Sequence, residues 1–437
     1  MTSPPLLAVD IGTSNSVGVL RDSQGNVRPL LIDGSPVTPS AVYLDDEGTL
    51  HTGRDAETLA AAHPDRFEPN PKKRTGDGEI LLGLSEVSVT EVFAALLRRM
   101  ADAAGSVTGD LPAVVLTCPQ DWGERRRRAL REAATKAGFT EISLVTEPVA
   151  AAYYYAERLS IPIAEGEAIV VFDFGGGTLD IALAQKEPGG GFRVAGAGGL
   201  EDLGGLDIDA ALVDHLGETV AAAHPEEWDR LTRPGNSATM RDRIALWRNV
   251  RSAKEMLSRA ATAPVAVPGI ETSFHLTRRE MDELARPILA RAAGELERVL
   301  DMSALPRTAI AGVFLVGGST RMPLVSQVLH ERTGFAPRTL EQPEIPVAEG
   351  ALAARDRRTS GVRESAPPAR LQFTQSEYTQ EPLDEPTAMR AAGARSEFLP
   401  PMANEPARAP AAGRRSLQNT VLVLIVIGLF FFFLSLL

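Results

Sequence analysis

The chain of 437 residues has a single cysteine, Cys118, so it closes no internal disulfide, and the oxidised framework of a small secreted domain is excluded. Its six histidines show no paired spacing of the kind that holds a metal ion. Positive charge is short as well. The 45 Lys and Arg against 57 Asp and Glu leave a formal net charge of −12, which argues against generic nucleic-acid binding. The longest basic run, Arg125-Arg126-Arg127-Arg128, falls in an expected helix from Glu124 to Ala137 closed by Gly138 and reads as a solvated face, with contact to anionic lipid as its other use. No GxxxxGK[ST] sequence occurs, so the commonest phosphate-binding loop is missing. No secretory leader is expected, because the apolar run Leu6-Leu7-Ala8-Val9 meets Asp10 after too few residues. This composition fits an enzyme domain facing the cytoplasm.

What the chain does have is a duplicated glycine turn. Asp10-Ile11-Gly12-Thr13-Ser14-Asn15 and Asp173-Phe174-Gly175-Gly176-Gly177-Thr178 stand 163 residues apart, each with an aspartate where an apolar strand ends. Leu6 to Val9 and Val17 to Leu20 flank the first; Ile169 to Phe172 and Leu179 to Leu183 flank the second. Each turn therefore joins two short antiparallel strands. The Gly175-Gly176-Gly177 triplet permits backbone angles that gather successive N–H groups into an anion-binding nest. Asp10 and Asp173 would repel a phosphate, so their role beside such loops is to hold a hydrated Mg²⁺ that bridges phosphate oxygens. Either turn alone could be a plain hairpin; the pair reads as a phosphate clamp. A third segment has the same character: the buried-strand pattern Val313 to Val316 runs into Gly317-Gly318-Ser319-Thr320-Arg321, with Pro323 in the first turn of a following helix.

Together with Thr146-Glu147-Pro148-Val149-Ala150-Ala151-Ala152, these motifs resemble the ATPase domain of the heat-shock-70 chaperones of DnaK type, within the actin-like ATPase superfamily. The resemblance covers residues 6 to about 356, in the family's order. It implies an α/β fold of two lobes around a nucleotide cleft, lobe I over residues 1–163 and lobe II over 164–356, binding ATP or ADP with Mg²⁺. Lys72 aligns with the family lysine that orients the attacking water and stabilises charge on the γ-phosphoryl group, with Lys73 as the alternative. By local sequence that basic run is equally a solvated patch. Glu147, between the expected strand Ile142 to Val145 and a helix opened by Pro148, would polarise water or bind the hydrated metal; an acid at a helix start is its plainer reading. Asp173 and Asp10 would complete the metal site.

By the same resemblance Gly12, Thr13, Ser14, Asn15, Gly175, Gly176, Gly177 and Thr178 contact phosphates, and Asp180 orients the water or relays its proton. Gly204 and Gly205 belong to the segment after the second loop. Gly317, Gly318, Ser319 and Arg321 flank the nucleoside, the guanidinium stacking on the adenine ring. Lys254 and Ser258, one helical turn apart, face the adenosine, and Arg241 to about Glu283 is expected to be helical. Three departures stand out. Arg251 falls where a ribose-binding glutamate is expected, Glu255 where a second basic residue is expected, and Glu344 replaces an aspartate.

After residue 356 the sequence does not resemble a peptide-binding domain. Residues 357–419 carry 8 prolines among 63 positions with few aliphatic residues and no sustained period, so a disordered linker is expected there. Residues 420–437 are 18 residues without a charge, about 27 Å of helix at about 1.5 Å per residue, and are expected to be a single-pass transmembrane anchor with the ATPase domain in the cytoplasm. The function expected is a membrane-tethered, slowly hydrolysing ATPase switch, chaperone-like or partner-recruiting. The expected partners are a membrane, a protein client or a co-chaperone, and no nucleic acid. An actin-like filament or scaffold protein at a membrane and a metabolite kinase of the same superfamily are the alternatives.

Overall fold

A computed structural model of the chain describes residues 4–359. The first turn lies where the sequence places it, between Leu6–Ile11 (β1) and Asn15–Arg21 (β2), with Val27–Pro29 (β3) and Val37–Pro39 (β4) both pairing to β2. A small sheet follows, made of Val42–Leu44 (β5), Leu50–Thr52 (β6) and, after helix Arg54–Leu59 (α1), Phe67–Glu68 (β7). The hairpin Glu79–Leu82 (β8) and Ser85–Ser88 (β9) leads into Val89–Thr108 (α2), which the Ser88 side chain caps by accepting the Glu91 N–H. Ala113–Cys118 (β10), Glu124–Lys136 (α3), Ile142–Thr146 (β11) and Glu147–Tyr153 (α4) complete this part of the chain. The resulting six-stranded sheet runs β11-β10-β1-β2-β3 with β4 beside β2, and β1 is parallel to β10. Leu6 to Val9 are buried on both faces, as expected of a strand at the centre of a sheet covered on both sides.

The same plan recurs. Ala168–Phe174 (β12) and Leu179–Lys186 (β13) form the second hairpin, Phe192–Leu200 (β14) adds on the far side of β13, and Ile310–Val316 (β17) lies parallel to β12, giving a four-stranded sheet β14-β13-β12-β17. Between β14 and β17 come Gly205–Ala223 (α5), Pro225–Thr232 (α6), Ser237–Leu257 (α7), the hairpin Thr262–Ala266 (β15) with Ser273–Thr277 (β16), and Arg278–Met302 (α8); Pro323–Thr333 (α9) and Pro346–Thr359 (α10) follow β17. The chain is thus mixed α/β with several sheets, as expected, and the described residues fall within one compact unit.

One expectation fails in this stretch. Residues 241–283 are not one helix, because β15 and β16 interrupt them. Thr262–Ala266 alternates buried and exposed positions, with Ala263 and Val265 pointing inward, and Gly269 at φ 87° allows the reversal. The second helix restarts at Thr277, whose hydroxyl accepts the Glu280 N–H while Glu280 accepts the Thr277 N–H.

The two large sheets share a core through α4 and α10. Leu6, Ala8, Val17 and Val19 of one sheet and Ile169, Val171, Ala182 and Ala184 of the other belong to one buried cluster with Ala150, Ala151 and Ala152 of α4 and Ala348 and Ala351 of α10. The alanines of the Thr146-to-Ala152 motif are small because the helices meet nearly backbone to backbone.

The expectation of a membrane location is corrected. Among the described residues no helix is long and apolar enough to cross a membrane. Even α8, at 25 residues, carries Arg278, Arg279, Glu280, Asp282 and Glu283 in its first two turns. The segment 420–437 read as an anchor lies outside the described residues. So does the expected linker apart from its first three positions, which are the end of α10.

A Cβ at Gly350 would overlap the Ala150 carbonyl oxygen and approach the Tyr154 nitrogen to 2.9 Å. Gly350→Ala is therefore expected to destabilise the protein by about 1–3 kcal/mol through overpacking, read as a lower urea midpoint at unchanged slope.

Candidate functional site

The two glycine turns are built alike. In the first, Gly12 N–H donates to the Asn15 carbonyl at 2.9 Å; in the second, Gly175 N–H donates to the Thr178 carbonyl at 3.0 Å. Ser40 Oγ donates to the Gly12 carbonyl at 2.8 Å and Ser14 Oγ to Asn70 Oδ1 at 3.3 Å, fixing the first turn against neighbouring loops. In the second turn, the Gly175 carbonyl accepts from Gly205 N–H at 3.0 Å and from Ser319 Oγ at 2.8 Å, and the Gly176 carbonyl accepts from Leu206 N–H at 2.7 Å. The Gly175 and Gly176 carbonyls and the Gly175 amide are thereby engaged, and the amides that follow Gly175 in the turn are the donors placed to meet an anion. Gly204 N–H, at the start of α5, donates to Asp207 Oδ2 at 2.7 Å.

Between the turns lies a cleft of about 2110 Å³. Its lining brings together Asp10, Gly12, Thr13, Ser14, Asn15, Lys72, Glu147, Asp173, Gly175, Gly176, Thr178 and Asp180 at the phosphate end, with Gly205, Lys254, Ser258, Gly317, Gly318, Ser319, Arg321 and Glu344 further along. Gly177 and Gly204 are in the adjoining backbone. Lys72 Nζ donates to Glu147 Oε1 at 3.0 Å, both side chains nearly buried, and stands 5.9 Å from the centre of the Trp122 ring. Lys73, its neighbour on the same short turn, goes elsewhere. A Cβ at Gly177 would collide with Lys73 Cε and lie 2.8 Å from its Nζ, so this ammonium packs on the second glycine loop. The two lysines that the sequence could not separate thus face different walls.

Charge is concentrated here. Asp173 and Asp180 are paired residues in the β12–β13 register, so two carboxylates oppose each other on one rung. Burial, then the Asp180 and Asp10 carboxylates, push Asp173 up to about 7 against the pull of Lys72. Burial also raises Asp180, with Lys72 opposing, and raises Glu147, with Lys72 opposing and Asp10, Asp180 and Asp173 adding. Burial works against the Lys72 ammonium, but Glu147, Asp10 and Asp180 outweigh it and hold its pKa above the ordinary lysine value. Among the described residues no three acidic, histidine or cysteine side chains are grouped closely enough to ligate a metal directly. The donor set of carboxylate oxygens suits a hard divalent cation that keeps its waters.

At the nucleoside end the cleft-lining cations are also held by protein partners. Lys254 Nζ is committed to the Gly205 carbonyl at 2.8 Å and to Asp209 Oδ1 at 2.8 Å, which makes it a clamp on the start of α5. Arg251 reaches the same fully buried Asp209 at 3.4 Å, so the residue in the place of a ribose-binding glutamate joins an internal charge cluster. Arg321 is held bidentately by Glu344, at 2.9 and 2.8 Å, rather than standing free. Gly317 at φ 85° has its would-be Cβ 2.6 Å from the Phe174 carbonyl oxygen, so the third turn closes directly on β12.

Sequence reasoning missed four residues. Thr117 Oγ donates to Asp10, Trp122 walls Lys72, Asn70 holds Ser14, and Asp209 anchors Lys254. Thr117 was within reach: β10 lies parallel to β1 with Leu116 beside Val9, which sets Thr117 level with Asp10. Asp209 came from a segment already aligned, but its burial is a tertiary fact.

The Asp173 shift carries a stability consequence. An unfolded aspartate titrates near about 3.9, so between about pH 4 and about pH 7 the folded protein keeps a proton that the unfolded chain has lost, and stability falls as pH rises through that window. Asp173→Asn should therefore melt higher than wild type at about pH 8 without metal or nucleotide, and the difference should close towards about pH 4, as followed by thermal melts.

Comparison with known proteins gives the family. The family model described as Hsp70 protein matches residues 76–356. The chain is 31% identical over 365 residues to the chaperone protein DnaK of Halobacterium salinarum, covering 80% of this chain and 55% of that one. It is 33% identical over 381 residues to the chaperone protein HscA homolog of Bordetella pertussis, covering 79% and 57%. The DnaK of Thermotoga petrophila is 29% identical over 358 residues, covering 79% and 58%. The chain thus spans little more than half the length of these relatives. A matched region that reaches through the second glycine turn to α10, joined to a cleft built on duplicated turns, leads to one conclusion: the chain belongs to the Hsp70 protein family.

Proposed function

We propose that the chain binds ATP with Mg²⁺ in this cleft, hydrolyses it to ADP and phosphate, and uses the change of bound nucleotide as a conformational switch. The observation that carries the reading is the Lys72–Glu147 pair held at 3.0 Å between the two glycine turns, beside Asp10, Asp173 and Asp180. The amides of Thr13 to Asn15 and of Gly176 to Thr178, not already used to close the turns, receive the phosphates, with the Thr13 and Thr178 hydroxyls beside them. Asp10, Asp173 and Glu147 hold the hydrated magnesium ion, which when bound offsets the negative charge of the phosphates. Burial raises Asp173 and Glu147, the neighbouring carboxylates add to it, and this crowding of acids favours a cation there.

Lys72 orients the attacking water and faces the charge that develops on the γ-phosphoryl group, and Glu147 keeps the ammonium in place. As the water oxygen bonds to the γ-phosphorus and the bridging oxygen leaves with ADP, Asp180, with its raised proton affinity, takes the water's proton. Arg321, braced by Glu344, supplies a flat cation for the base, with Gly317, Gly318 and Ser258 along the nucleoside. Residues 1–163 and 164–356 are the two lobes whose relative position follows the nucleotide, with Lys73 reaching from the first to the Gly177 loop of the second. The relatives are named chaperones, and a chaperone-like role with a protein client or a co-chaperone extends that reading to this chain.

Mg-ATP binding and γ-phosphate release by the full chain test this. Lys72→Ala and Glu147→Ala should each slow release by about 10²–10³-fold while nucleotide affinity changes little. Lys73→Ala should instead weaken binding and largely spare the rate of cleavage once nucleotide is bound. Equal release by Lys72→Ala and wild type would remove Lys72 from the reaction.

A further inference from the structure

The four consecutive arginines read from sequence as a solvated face are divided by the fold. Arg127 turns inward, its Nε donating to the Trp122 carbonyl at 2.7 Å and its Nη2 to that of Gln120 at 3.3 Å. Arg125, Arg126 and Arg128 instead line a second, smaller groove of about 350 Å³, together with Thr75, Thr90 at the start of α2, and Glu132. That volume is at the small end of ligand pockets, about 300–1,000 Å³, and suits a small hydrated anion better than a nucleotide. No carboxylate pairs with any of these three guanidiniums among the described residues, although Glu124 on the same helix pairs with Arg131. Placing them in the first two turns of α3 also opposes the helix dipole, whose positive end lies there. Arg125 and Arg128 are exposed and Arg126 half-buried, so in the empty pocket they are hydrated; a dianion among the three would replace that water with charge-assisted hydrogen bonds, on the side of the pocket away from the Glu132 carboxylate.

The cavity adjoins the catalytic cleft. Arg126 and Thr75 line both, and Thr75 Oγ donates at 2.7 Å to the carbonyl of Lys72 itself. We propose that this pocket is a second anion site, which receives inorganic phosphate as it leaves the cleft and holds it on Arg125, Arg126 and Arg128. The origin of that phosphate rests on the ATPase reading; the anion site does not. The bond-breaking step is complete before phosphate arrives, so the arginines bind and pass on the product and take no part in its formation.

The test uses the full chain and the Arg125→Ala/Arg128→Ala double variant, leaving Arg126 in place because it also borders the cleft. Inorganic phosphate is titrated calorimetrically into each protein, with and without a non-hydrolysable ATP analogue to occupy the cleft. With the analogue present, wild type should still bind phosphate and the double variant should bind it about tenfold or more weakly, which tests the site whether or not the protein hydrolyses ATP. During ATP turnover, the double variant should cleave ATP in the first cycle at the wild-type rate but change the rate at which a phosphate-binding fluorophore sees free phosphate. Arg125→Gln/Arg128→Gln, which keeps the side-chain bulk, replaces the alanine pair if that variant melts below wild type. Equal phosphate binding by variant and wild type overturns the proposal. So does loss of binding to phosphatidylserine vesicles in the variant with phosphate binding intact, which would make the cluster a lipid-facing surface.

Discussion

Asp173 and Asp180 oppose each other on one rung of an antiparallel hairpin, and much of the surrounding structure answers to that repulsion. A sheet gains nothing from like charges placed directly across from each other. Here the pair is kept within reach of Lys72, which Glu147 holds from the opposite wall, while Asp10 accepts from Thr117 on the neighbouring strand. The cluster carries more carboxylate than Lys72 can balance. Burial first, and the crowding of these acids after it, raise the proton affinity of Asp173, Asp180 and Glu147, and the cation proposed for the cleft would relieve the same strain on the empty fold.

Such a site requires its walls to be held at fixed separation, and the α4–α10 crossing does this. Glu147 is the first residue of α4, and the alanines behind it pack with α10 between the two large sheets. The motif that carries the carboxylate therefore also carries the surface joining the sheets. One run of seven residues lines the cleft at its start and the core over the rest.

The duplicated hairpins share backbone geometry but differ in their supports. The first turn leans on Ser40 and Asn70, side chains of nearby loops; the second is held by the amides that open α5 and by Ser319 from the third turn. Lys254 and Arg251 then secure α5 through the buried Asp209. Arg251, which departs from the family pattern at the nucleoside end, is thus part of an internal scaffold. Glu344 acts similarly on Arg321, since a bidentate carboxylate holds a guanidinium plane in one orientation.

Much of this was legible in the sequence, for physical reasons that can be named. Turns need glycine, buried strands need unbroken apolar runs, and an acid at a strand end beside a glycine turn has few uses; Asp10, Asp173 and the turns at residues 12–15 and 175–178 were therefore readable by local rules. Residues 241–283 were misread because a five-residue alternation such as Thr262–Ala266 is too short to stand out between two amphipathic helices. What no local rule could decide is where long side chains end. Lys72 and Lys73 are adjacent and chemically identical, yet one meets Glu147 and the other the Gly177 loop. Arg127 turns to a backbone while its neighbours line a cavity. The sequence by itself determined the hairpins, their aspartates and the family. The partner of each flexible cation was decided only by the tertiary structure, because a charge at the end of four rotatable bonds is placed by whatever surrounds it and not by its own position in the chain.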